Sequence, residues 1–153
     1  MTPEVATDLK PIELRMSGGM LALNRLIMTF QNKRMPVAGV TVGRDGDATR
    51  ATILLDCPPE TARRYAALLS ALEDVEEIAL SGATVEVALL QTGGDASWRE
   101  SAERAGIAAH QEEEGGTVVA SGDPERMEAW LGSLEVDDIV RLGPVARPGD
   151  GGK

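Results

Sequence analysis

"LLSALEDVEEIAL" (68–80) and "WLGSLEVDDIVRL" (130–142) share one layout. In each, Leu-x-x-Leu-Glu closes a pattern of helical period, and an acidic-then-apolar strand pattern follows. The match needs a one-residue gap, so it argues for equal architecture in the two halves more than for a duplicated sequence. Reading outward from each copy tests that equality. Upstream of the first, "KPIELRM" (10–16) suits a strand, and from Leu21 the residues Leu23, Leu26, Ile27 and Phe30 follow the i, i+3, i+4, i+7 spacing of a helix ending near Arg34. Pro36 disfavours helical geometry in Met35, and "VAGVTVG" (37–43) reads as a strand. "RDGD" (44–47) is a turn whose Asp-Gly pair predicts an antiparallel return through "ATRATILLD" (48–56). Pro58-Pro59 ends that strand; Tyr65, Leu68, Leu69 and Leu72 carry helical spacing, and "VEEIAL" (75–80) is a strand.

The second half has the same order. "TVEVALL" (84–90) is a strand, 96–105 a helix, and "IAAHQEE" (107–113) with "GTVVAS" (116–121) a hairpin. Asp123 is placed as an N-cap and Pro124 at the first helical position, where its missing N–H costs little. Met127, Trp130, Leu131 and Leu134 mark that helix's buried face, and "DDIVRL" (137–142) is the last strand. Two βαββαβ units of about 70 residues each predict an α+β protein: two ferredoxin-like domains in tandem, 10–81 and 83–147, followed by a mobile Pro/Gly-rich tail at 148–153. A single helical layer shields one face of each sheet, so the open faces and edges predict association with another chain.

Composition narrows the function classes. The 153 residues are 42% apolar, enough for a packed core. One cysteine, Cys57, excludes an internal disulfide framework, and one histidine, His110, argues against a His/Cys metal cluster. The formal charge of −10 and the lack of a basic, aromatic-interleaved stripe argue against nucleic acid. No 18-residue apolar run and no basic-then-apolar leader is present, which argues against a membrane span or secretory signal and predicts a cytoplasmic location. His110 and Cys57 lack a recognisable base or orienting partner, so no catalytic residue is assigned. Glu112-Glu113-Glu114 reads as the solvated end of a hairpin, with a divalent-cation site as the minor alternative.

Between the first strand and helix lies "RMSGGMLALNRLIMTF" (15–30), whose Gly18-Gly19 pair is either a tight turn or a backbone cradle for a ligand. Arg34 reads as a helix C-terminal cation or as one wall of an anion site. Residues 144–147, "PVAR", read as a frayed tail or as an extended segment against a partner.

The first half resembles an ACT domain, a βαββαβ module that senses small molecules at dimer interfaces. "VASGDPERMEAWLGSLEVDDIVRLGPVAR" (119–147) resembles the second domain of the acetolactate synthase small subunit, with Ser121-Gly122-Asp123-Pro124 at the family's Thr-Gly-Asp-Pro. Residues 141–146, Arg-Leu-Gly-Pro-Val-Ala, stand at its Arg-Thr-Gly-Arg-Val-Ala, and "TVEVALLQTG" (84–93) is similar to its opening strand. The resemblance implies a non-catalytic subunit without a cofactor that dimerises through its ACT domain. It also implies binding and activation of the thiamine-diphosphate-dependent large subunit, in branched-chain amino acid biosynthesis, with valine feedback. A family effector sits between the first strand-to-helix loop of one ACT domain and the start of the second strand in its partner. Those positions here are Gly18, Gly19, Met20 and Leu21, with Pro36 and Val37. The family's loop asparagine and glycine fall on Gly18 and Leu21; its second asparagine falls on Pro36 and the nearby glycine on Arg34. Proline offers neither an N–H nor a polar side chain, so the expected valine response is weak or absent. The alternative reading is a stand-alone ACT-type amino-acid sensor acting on another protein.

Overall fold

The pleat of β1 (Leu9–Met16) places Ile12, Leu14 and Met16 on one face, and all three are buried. The computed structural model describes residues 9–94, 96–113, 116–136 and 138–147. After β1 come α1 (Gly19–Asn32), β2 (Val37–Asp45), β3 (Ala48–Asp56), α2 (Pro59–Ser70) and β4 (Val75–Leu80). They form an antiparallel sheet in the order β2-β3-β1-β4. Ile12 lies opposite Ile53 and Leu14 opposite Ala51, so β1 and β3 present one apolar floor. Ala22, Leu26 and Phe30 of α1 and Ala62 and Leu69 of α2 close over it.

The second unit follows the same order with β5 (Thr84–Gln91), α3 (Ser97–Ala105), β6 (Ala108–Gln111), β7 (Val118–Gly122), α4 (Pro124–Ser133) and β8 (Asp138–Ala146). Its sheet runs β6-β7-β5-β8. Small residues face each other at its centre, Ala88 opposite Ala120, and two tryptophans, Trp98 from α3 and Trp130 from α4, fill the core they share. The Trp130 indole N–H donates to Ser101 Oγ at 2.9 Å, satisfying the one polar atom that the ring buries. Both units are therefore ferredoxin-like, and the fold class is α+β. One compact unit takes in the described residues up to Ala83 together with Ala146 and Arg147; the other spans 84–145.

Four local expectations change. The buried face of α1 is Ala22, Leu26 and Phe30, whereas Ile27 is 43% exposed: the helix is turned so that small Ala22 lets it sit close to the sheet. The helix also begins earlier, at Gly19, because two glycines at positive φ let the chain turn straight into it. The second hairpin is shorter than its sequence pattern, with β6 ending at Gln111 and β7 starting at Val118. The last strand is longer, running through Pro144 to Ala146. As an edge strand, β8 tolerates a residue without an N–H. The segment at 144–146 is thus ordered strand, not frayed tail. The tail proper, 148–153, lies outside the described residues. Among those residues, no helix is long and apolar enough to cross a membrane.

Candidate functional site

The turn from β1 into α1 is built by backbone conformation. Gly18 has φ +99° and Gly19 φ +60°, both in the left-handed region. A Cβ on Gly18 would stand 3.2 Å from Ala22 Cβ and 3.4 Å from Asp74 Oδ1, so conformation and close approach both call for glycine. No side chain caps α1, and its first backward bond, from Ala22 N–H to Gly18 O, is 3.4 Å long. The N–H groups of Gly19, Met20 and Leu21 precede it and have no partner within the helix.

Asp74, far off in sequence, defines the other wall of the turn. Its backbone carbonyl accepts from Ser17 N–H at 2.9 Å, and its carboxylate accepts from Arg25 Nη1 at 2.7 Å. That hydrogen bond is the main cause of an upward shift in the Arg25 pKa, and it anchors the first turns of α1 to the α2–β4 loop. A cavity of about 220 Å³ lies there, bounded by Met16, Arg25, Leu72 and Asp74. On the other side, Gly19 and Met20 line an open groove of about 630 Å³ with Val42, Arg44 and Gly46 of the β2–β3 hairpin. Met20 and Leu21 point outward, 77% and 60% exposed. Neither Asp74 beside Gly18 nor the hairpin across from Gly19 and Met20 was legible, because no local pattern reports a contact between residues this far apart.

Pro36 and Val37 lie past the opposite end of α1, about 20 Å away along a helix of this length. Within one chain the structure does not bring them together with Gly18–Leu21. Their backbone is also spent: Val37 N–H donates to Met35 O at 2.8 Å, and Pro36 O accepts from Asp56 N–H at 2.9 Å. Arg34 sits in the left-handed region at φ +50°. Its N–H bonds to Gln31 O at 3.2 Å, and Met35 N–H bonds to Phe30 O at 2.9 Å, the paired bonds of a Schellman helix end. Phe30 and Met35 are both in the core, completing the motif's hydrophobic contact. An arginine therefore occupies a position that glycine would fill without strain.

The remaining candidates stand apart from this turn. His110 is exposed on edge strand β6, opposite Val119. Cys57 is half-buried; burial, and then the charge of Asp56, push its thiol pKa up, away from a reactive thiolate. Glu112 and Glu113 follow β6, while Glu114 lies outside the described residues. Among those residues no three His, Cys, Asp or Glu side chains are grouped to hold a metal.

At the start of α4 the helix signals are realised, whereas Leu134, expected on its buried face, follows its end in extended conformation and is half-buried. Asp123 Oδ2 accepts from the N–H groups of Glu125 and Arg126 at 3.1 and 3.3 Å, and Pro124 opens α4. Arg141 is held rather than free. Its Nε and Nη2 grip the two oxygens of Glu86, a carboxylate on the helix-covered side of β5, and Nη1 reaches Glu128 Oε1 at 2.8 Å.

A tandem pair of ferredoxin-like units is the class that this fold defines. The chain is similar in structure to the acetolactate synthase small subunit from Thermotoga maritima, with a TM-score of 0.73 and 16% identity, over 91% of this chain and 96% of that one. No protein-family model and no curated protein sequence matches the chain.

Proposed function

We propose that this protein is a non-catalytic regulatory subunit that binds and activates the thiamine-diphosphate-dependent large subunit of acetolactate synthase, in the cytoplasm, with weak or absent valine feedback. The observation that carries the reading is coverage: both units, in order, align with nearly the whole of the small-subunit structure. The sequence resemblance at 119–147 supports it independently. Activation would work by preferential binding to the active conformation of the large subunit, and an effector would matter only through unequal affinity for the two states.

A homodimer through the first, ACT-like domain is part of the proposal. Met20, Leu21, Ile27 and Met28 form an exposed apolar stripe on α1, and Val40 and Val42 lie exposed on edge strand β2. Only a second copy could set Pro36–Val37 of one chain beside Gly18–Leu21 of another. The spent backbone at Val37 and the missing side-chain amides support a weak valine response.

Co-purification with the large subunit and a rate assay test the role; a complex with a raised rate is expected, and neither complex nor activation across a range of concentrations rejects it. Titration of the purified protein with valine is expected to show little or no binding. A tight complex at Gly18–Leu21 would overturn the degenerate-site reading. A thermal-shift series over free amino acids separates the alternative, since a stabilising ligand without any large subunit favours a stand-alone sensor.

A further inference from the structure

The second unit has thirteen carboxylate side chains in its sequence and four arginines: Arg99, Arg104, Arg126 and Arg141. Two are committed. Arg141 is bound to Glu86 and Glu128, and the Arg99 guanidinium lies over the Trp98 ring, 4.6 Å from its centroid. The other two guanidiniums, from the last turn of α3 and the first turn of α4, make no ion pair among the described residues. Both line one groove of about 380 Å³ along the α3–α4 seam. With carboxylates so abundant, two arginines on one groove with no ion pair among the described residues is an arrangement that self-pairing would have removed.

The rest of the groove leaves those guanidiniums as its available donors. The Ser101 and Ser133 hydroxyls already donate to Trp98 O and Trp130 O, at 3.2 and 2.7 Å. Exposed Ala129 supplies an apolar side, next to the buried Trp130. A Cβ at Gly106 would lie 2.9 Å from Arg126 Nη1, so the bare backbone at the end of α3 is what lets this guanidinium lie close over it.

We propose that the α3–α4 groove binds a small molecule carrying a compact polyanionic group, a phosphate or a pair of carboxylates, held by Arg104 and Arg126 with the rest of the molecule against Ala129. Guanidinium forks match the oxygen pairs of both groups. The formal net charge of −10 repels anions at long range, so saturable anion binding reports a site and not general attraction. This inference is independent of the regulatory role proposed above.

The test titrates the full chain with inorganic phosphate and, separately, malonate at constant ionic strength, following calorimetric heat and tryptophan fluorescence. Saturable binding of one probe is expected, and which one saturates identifies the anionic group. Arg104→Gln and Arg126→Gln should each weaken it by about tenfold, the size of a charge-assisted hydrogen bond. Arg104→Lys, which keeps the charge and loses the fork, should fall between. Melting curves report folding, and if Arg126→Gln unfolds the unit, the exposed Arg104 variants decide alone. No saturable response to either probe, or a response that survives the Arg104 substitutions, overturns the proposal.

Discussion

The helix ends that lead from α1 into β2 and from α3 into β6 use the same hydrogen-bond motif with opposite residues. After α3, Gly106 takes the left-handed position at φ +75°, with Gly106 N–H bonded to Glu103 O at 3.2 Å and Ile107 N–H to Ala102 O at 2.9 Å. After α1, Arg34 does so. The two units differ likewise at the helices that follow their hairpins: Asp123 caps α4, whereas Pro58 before α2 offers no side-chain cap. Their ion pairs differ in burial at the carboxylate, Glu86 being 4% exposed and Asp74 16%, while the partner arginines Arg141 and Arg25 are similarly exposed at 40% and 50%. Topology is thus common to the units while the interactions that secure it are not. Apolar spacing sets the architecture, and each joint is then secured by whatever residue the local backbone tolerates.

Breaking the buried pair should have the largest effect. Arg141→Met leaves the Glu86 carboxylate uncompensated and should cost about 3 kcal/mol, the low end for a buried pair because Arg141 itself is 40% exposed. Urea unfolding measures it, and adding Glu86→Gln should recover much of the loss. Next comes Gly106→Ala, which forces a Cβ into a left-handed residue and against Arg126, with an expected loss of about 1–2 kcal/mol. Asp123→Ala removes two accepted bonds at the start of α4 and should cost about 1 kcal/mol, read as a lower midpoint at unchanged urea slope. Arg34→Gly should sharpen the comparison by making the two joints alike: relief of left-handed strain predicts a gain of up to about 1 kcal/mol. A loss there would mean that the arginine side chain stabilises the joint by a contact outweighing its strain.

Much of this was readable in the sequence, and the failures have physical causes. The order of all twelve elements follows from periodicity and turn residues, and Asp123-Pro124 announced a helix start that the cap geometry realises. The rotation of α1 was not readable, because Ala22 and Ile27 are both apolar and spacing alone does not rank close helix–sheet approach above side-chain size. Pro144 suggested an end to the last strand, but an edge position excuses its missing N–H. At the candidate site, Gly18-Gly19 marked the turn, while Asp74 and the hairpin lining entered only through tertiary folding. An arginine at a glycine-favoured helix end leaves no sequence signal at all.

The β2–β3 hairpin has a consequence in time. Two nine-residue strands meet across Gly46–Asp47, paired from Asp45 with Ala48 out to Val37 with Leu55. Neighbours so near in sequence pay little loop-closure entropy, and hairpins form in about 1–10 μs. Among the described residues the second unit's hairpin has four such pairs, between Ala108 with Ser121 and Gln111 with Val118, while its central β5–β7 ladder closes a stretch of chain comparable to that between β1 and β3. The first unit therefore has the longer local nucleus, and during synthesis from the N-terminus its four strands can pair while the second still waits for β8, its final strand.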